Sequence, residues 1–122
     1  MIVGRGETVG KPLVFMILRH NATVSVCHSK TPDLAHFTGQ GDIVIVAVGK
    51  PRIIKAEMIK EGAVVVDAGI NETEEGMCGD VDYDNVRNKA GMVSPVPGGV
   101  GSLTTALLLK NVLKGIVLQR KL

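Results

Sequence analysis

Gly4-Arg5-Gly6-Glu7-Thr8-Val9-Gly10-Lys11-Pro12 combines three glycines with two basic side chains near the amino end of a 122-residue chain. A glycine-rich turn between a strand and a helix lets backbone N–H groups and the helix N-terminus face a pyrophosphate. The spacing is Gly-x-Gly-x-x-x-Gly, one residue longer than the usual dinucleotide fingerprint. A phosphate loop is nevertheless expected here, because position, glycines, Arg5 and Lys11 agree. The bland alternative is a tight turn that merely needs glycine.

The chain beyond the second strand bears on the cofactor's ribose. About 20 residues past such a loop, NAD-binding chains carry an acid that grips the 2′-hydroxyl. Here stand Cys27-His28-Ser29-Lys30-Thr31, with no acid before Asp33. A hydroxyl with basic neighbours suits a 2′-phosphate, which a carboxylate would repel, and Arg5 is placed to reach the same group. NADP is therefore expected in preference to NAD, against the alternative of a solvated polar turn.

Three further turns follow apolar runs or precede a helix. Gly49-Lys50-Pro51 and Asp67-Ala68-Gly69-Ile70-Asn71 come after buried strands, and ligands of open α/β sheets lie across the carboxyl ends of strands. Pro95-Val96-Pro97-Gly98-Gly99-Val100-Gly101 packs two prolines and three glycines into seven residues directly ahead of the longest helical segment. Such a rigid loop can approach a flat ligand closely. Other chemistry is disfavoured. His20 and His36 read as helix-end and surface residues, Lys11 as part of the phosphate loop rather than a catalyst. Asp80, Asp82 and Asp84 have no further ligands to make a metal loop, and no metal site is expected. Nothing resembles Gly-x-Ser-x-Gly or an ordered Ser-His-Asp set.

The elements that must position these turns are short. Val- and Ile-rich runs at Met1–Val3, Thr23–Cys27, Asp42–Val48, Ala63–Asp67 and Met92–Val93 predict strands buried on both faces. Helical segments are predicted at Val9–Arg19, Asp33–Gly39, Lys55–Lys60, Asp82–Lys89 and Ser102–Leu118, the last capped by Ser102 and carrying a wide apolar stripe. Strand–helix alternation predicts a single α/β domain over residues 1–122, Rossmann-like, with a doubly wound, mostly parallel sheet.

Composition agrees. With 45% hydrophobic and 21% charged residues the chain is globular. A net charge of +2, with aromatics limited to Phe15, Phe37 and Tyr83, argues against nucleic acid. Uninterrupted apolar runs fall far short of the ~18 residues of a membrane span, so no membrane partner is expected. Cys27 and Cys78 form no Cys-x-x-Cys pair, which fits a reducing, cytoplasmic setting. The abrupt first strand, with no targeting segment, suggests a fragment of a longer protein.

The motifs in order, Val3-Gly4-Arg5-Gly6 with Val9-Gly10-Lys11-Pro12, Val26-Cys27-His28-Ser29, Ala47-Val48-Gly49-Lys50-Pro51, Asp67-Ala68-Gly69-Ile70-Asn71, Gly79-Asp80-Val81-Asp82 and the Pro95–Gly101 loop, resemble bifunctional methylenetetrahydrofolate dehydrogenase/methenyltetrahydrofolate cyclohydrolase. The resemblance runs the length of the chain but covers only that enzyme's cofactor-binding half. It implies an oxidoreductase and hydrolase of one-carbon metabolism and purine biosynthesis. Such an enzyme oxidises 5,10-methylenetetrahydrofolate with NADP⁺ and hydrolyses the methenyl product to 10-formyltetrahydrofolate. It implies that Gly4, Arg5 and Gly6 hold the pyrophosphate side, and His28 and Ser29 the 2′-phosphate. Ala47, Ile70 and Thr104 would lie near the nicotinamide, with Pro97, Gly98, Gly99, Val100 and Gly101 bordering the folate. It also implies a homodimer.

Two positions depart from the family pattern. Gly6 stands where Ser is common, and Ser102-Leu103 replaces Pro-Met before Thr104. The family's Tyr-x-x-x-Lys pair belongs to an N-terminal catalytic lobe, and this chain's one tyrosine, Tyr83, is followed four residues later by Arg87. No catalytic residue is therefore assigned, and the chain alone is expected to bind cofactor without turnover. The competing expectations are a stand-alone dinucleotide-binding or interaction module, and a dehydrogenase of a small acid such as shikimate. The rigid Pro97–Gly101 loop disfavours the latter.

Overall fold

The computed structural model describes residues 1–120. Its centre is a five-stranded sheet in the order β2-β1-β3-β4-β7, formed by β1 (Ile2–Val3), β2 (Val26–Cys27), β3 (Ile43–Val46), β4 (Val64–Asp67) and β7 (Met92–Val93). Every pairing in this sheet is parallel. The β3–β4 register, Ile43 with Val64 through Val46 with Asp67, is its longest ladder. Strand interiors are β-branched, and Val44, Val46 and Val65 are buried with Ile54, Ile59, Val81 and Val86 in one core. The expected α/β architecture is present.

The strands are shorter than the apolar runs that predict them. Val26–Cys27 replaces Thr23–Cys27, because β1 offers β2 only two pairing residues. The helices α1 (Gly10–Leu18), α2 (Leu34–Thr38) and α3 (Tyr83–Val86) fall inside their predicted segments. Asp33 caps α2 by accepting from the His36 N–H at 2.9 Å. Lys55–Lys60 is corrected to a 3₁₀ turn over Ala56–Met58. The buried Thr38 hydroxyl holds that turn to α2, donating to the carbonyls of Leu34 (2.9 Å) and Met58 (2.6 Å).

A hairpin of β5 (Asn71–Thr73) and β6 (Gly76–Cys78) has no counterpart among the sequence expectations. β5 is polar, β6 is only Gly76-Met77-Cys78, and both lie outside the core without apolar alternation, so periodicity carries no sign of them. The last helix, α4 (Val100–Arg120), begins two residues before Ser102, which is therefore inside its first turn and not its cap. None of its residues is buried, and its expected apolar stripe has no partner among the described residues. Its best 18-residue window has a mean hydropathy of 1.3, enough by length and composition alone to cross a membrane. Counting unbroken apolar runs does not register this helix, because Lys110 and Lys114 interrupt it.

Candidate functional site

The chain leaves β1 to build β2 on one side and returns to build β3 on the other, so the connections diverge at the carboxyl end of β1. Ligands of open α/β sheets bind at such a switch point. The Gly4–Gly6 turn stands there. Gly4 turns with φ +122°, and a side chain at that position would strike the Ala47 carbonyl. The β1 turn therefore lies directly against the end of β3. Its amide is tied the other way, donating to the Cys27 carbonyl at 2.8 Å.

A cavity of about 430 Å³ opens over these strand ends, lined by Gly4, Arg5, Gly6, His28, Ser29 and Ala47. Val3, Thr31, Leu34, Val48, Lys50 and Ile53 complete it, and no carboxylate is among its lining residues. The β2 turn is closed by its own bonds. The His28 amide donates to Thr31 Oγ1 at 2.9 Å, the Thr31 amide to the His28 carbonyl at 2.9 Å, and the Lys30 amide to His28 Nδ1 at 3.2 Å. An accepting Nδ1 leaves the neutral imidazole's hydrogen on Nε2, free to donate.

A second cavity of about 400 Å³ adjoins it beyond β4, lined by Ile70, Pro97, Gly98, Gly99, Val100, Gly101 and Thr104. Val9, at the start of α1, and Met77, on the hairpin, also line it. The Val96–Pro97 peptide bond is cis. The Thr104 hydroxyl donates to the Val100 carbonyl at 3.1 Å. Sequence reasoning put Ala47, Ile70 and Thr104 together; the structure divides them. Ala47 lines the first cavity because its strand end lies beside β1, whereas Ile70 follows β4 and Thr104 belongs to α4.

Beside these cavities lies a pair of buried carboxylates that sequence reasoning assigned no role, Asp80 and Asp67, the latter in the lining of the second cavity. Asp80 accepts from the amides of Val48 (2.6 Å), Gly49 (2.9 Å) and Lys50 (2.9 Å), and from Asn71 Nδ2 at 2.8 Å. Asp67 accepts from the amides of Gly69 (2.9 Å), Asp80 (3.1 Å) and Val81 (2.8 Å). Burial, with a smaller contribution from the nearby Asp80 charge, pushes the Asp67 carboxyl above the usual range, against the pull of its three N–H donors. Glycine is required at positions 69 and 79 because a Cβ there would run into the Asp80 and Asp67 carboxyls respectively. Nothing in the sequence signals this, because Asp80 opens the alternating acids Asp80-Val81-Asp82-Tyr83-Asp84, which read as a solvated stretch. Among the described residues no group of His, Cys, Asp and Glu is arranged to hold a metal.

Residues 1–120 match a family model described as the tetrahydrofolate dehydrogenase/cyclohydrolase NAD(P)-binding domain. The chain belongs to this family. The bifunctional protein FolD 2 of Desulfitobacterium hafniense is 69% identical over 121 residues, covering 99% of this chain and 43% of that protein. The bifunctional protein FolD of Desulforamulus reducens is 68% identical, covering 98% and 42%. The chain thus spans about two-fifths of the length of these relatives and corresponds to their NAD(P)-binding domain.

Solved structures agree with this Rossmann-like assignment. The dehydrogenase/cyclohydrolase of Thermoplasma acidophilum superposes with a TM-score of 0.92 at 43% identity, covering 99% of this chain and 44% of that one. The Trypanosoma brucei FolD, solved with NADP cofactor and an inhibitor, superposes with a TM-score of 0.84 at 40% identity, covering 92% and 41%. For a family defined by an NAD(P)-binding domain, the first cavity has the right chemistry: hydroxyl, imidazole and cationic groups at a switch point, and no lining acid.

Proposed function

We propose that this domain binds NADP⁺ in preference to NAD⁺ within an enzyme that oxidises 5,10-methylenetetrahydrofolate and hydrolyses the methenyl product to 10-formyltetrahydrofolate. The observation that carries the reading is the first cavity, where Arg5, His28 and Ser29 converge without a carboxylate. Ser29 donates its hydroxyl and Arg5 its guanidinium to the 2′-phosphate, while His28 offers Nε2–H. The Gly4–Gly6 amides and the start of α1 face the pyrophosphate. Ala47, Ile70 and Thr104 border the nicotinamide end, and the Pro97–Gly101 loop borders the folate in the second cavity.

When bound, the nicotinamide supplies the hydride acceptor. Ala47, Ile70 and Thr104 would hold it, and the Pro97–Gly101 loop would bring the folate to it, as hydride transfer requires both reactants to be positioned together. Polarising and proton-moving groups belong to a catalytic lobe carrying a Tyr-x-x-x-Lys pair, a part of the relatives that lies outside the matched two-fifths. The same lobe would cover the exposed leucines and valines of α4. A cytoplasmic homodimer completes the reading, supported by two unpaired cysteines and the family resemblance.

Calorimetric titration of the chain with NADP⁺ and NAD⁺ tests this directly. Tighter binding of NADP⁺, with the preference lost in Ser29→Asp, is expected. Equal affinities unaffected by that substitution would overturn the cofactor reading. A folate- and NADP⁺-dependent absorbance rise from the chain alone would overturn the assignment of catalysis to another lobe.

A further inference from the structure

The first cavity contains a cation that no reading above has used. Lys50 lines it together with Arg5, His28 and Ser29. Its backbone is fixed unusually well for an exposed turn. The fully buried Asp80 carboxylate takes the amides of Val48, Gly49 and Lys50 in succession at 2.6, 2.9 and 2.9 Å. Gly49 supplies the positive φ, +66°, that lets three consecutive amides converge on one carboxylate. Those amides neutralise Asp80 locally, so its charge has partners of its own and does not require the Lys50 ammonium.

The four ion pairs among the described residues engage Lys11, Arg52, Lys55 and Lys60, and Lys50 is in none of them. A fixed backbone with an unengaged ammonium over an acid-free cavity is an arrangement suited to an anion. Engaging an anion then orders the side chain alone, with no main-chain ordering added.

Lys50 shares its cavity with the Gly4–Gly6 turn, assigned above to the pyrophosphate, and with His28 and Ser29, assigned to the 2′-phosphate. The β1-turn amides and the start of α1 already serve the pyrophosphate. The anion of NADP⁺ left for a further cation in this cavity is the 2′-phosphate. We propose that Lys50 is a specificity-determining residue that grips the 2′-phosphate from the β3 side, opposite Ser29 on the β2 side. The two turns then close on the phosphate from both flanks of β1, and Asp80 acts as the positioning residue that sets one of them. The inference rests on the NADP⁺ reading above and deepens it.

The test is calorimetric titration of the parent chain, Lys50→Gln, Lys50→Arg and Ser29→Asp with NADP⁺ and with NAD⁺. A charge-assisted hydrogen bond to phosphate corresponds to a change in affinity of about tenfold. Lys50→Gln is expected to weaken NADP⁺ binding by about that factor while leaving NAD⁺ within about twofold. Lys50→Arg, which keeps the charge on the same fixed turn, is expected to restore most of the preference. Equal weakening for both cofactors would place Lys50 on the pyrophosphate and overturn the proposal, as would no change for either. Failure of the cofactor reading itself has a different signature: the parent chain shows no preference and Ser29→Asp changes nothing, and the Lys50 proposal then falls with it.

Discussion

At Gly4 and Gly6, two residues apart in one turn, glycine is present for different reasons. Gly4 has φ +122° and no room beside the Ala47 carbonyl, whereas a Cβ on Gly6 would meet nothing within 4 Å. Gly4→Ala is expected to cost about 1–3 kcal/mol in backbone strain, with the clash added, and to lower the urea midpoint accordingly. Gly6→Ser is expected to leave stability within about 0.5 kcal/mol. Asp67 gives a pH prediction. Its folded carboxyl titrates above the ordinary value of 3.8, so the folded chain holds that proton more tightly than the unfolded one. The resulting stabilisation is fully present below 3.8 and is lost as pH rises through the raised folded value. Urea midpoints measured across that interval should fall with rising pH in the parent chain, and Asp67→Asn should flatten that part of the curve.

At the scale of elements, a short parallel bridge joins the segment after β3 to the chain around Asp80. Ile54 pairs with Val81, donates its amide to the Asp80 carbonyl at 3.1 Å and accepts from the Asp82 amide at 2.9 Å. Its side chain is completely buried in the core. Ile54→Ala is expected to cost about 2–5 kcal/mol by cavity formation, read from chemical denaturation. Because Ile54 and Asp80 anchor the same stretch, that variant should also weaken NADP⁺ binding by loosening the Val48–Lys50 turn. The hairpin and the 3₁₀ turn teach the complementary lesson. Both are held by partners distant in sequence or by a tight turn, and neither carries an apolar period of its own.

At the scale of the whole molecule, the described domain divides into a packed sheet layer and a helix that packs on nothing. Leu109 and Leu113 are each 65% exposed. Leu109→Lys with Leu113→Lys is therefore expected to leave the urea midpoint within about 0.5 kcal/mol, a result that buried leucines would never give. In a protein containing the remainder of the family's length, the same double change should be strongly destabilising if the missing lobe covers that face. Comparing the two proteins measures what the helix is for.

The sequence by itself determined the class of fold and the site's location. β-branched runs alternating with capped helical segments can be satisfied only by a buried parallel sheet. Glycine-rich turns after such strands must gather at the sheet's carboxyl edge. The Gly4–Gly6, Cys27–Thr31 and Pro95–Gly101 turns were legible for that reason, each being defined by local backbone chemistry. Only the tertiary structure decided how those turns are grouped. It assigned Ala47 to one cavity and Ile70 and Thr104 to another, and set Lys50 beside Ser29. It also made Asp80, 30 residues from Lys50, the acceptor for that turn's amides. A buried carboxylate is stable only where folded backbone brings several N–H donors to it at once, and the identity of those donors is a property of strand order, which no local pattern of residues encodes.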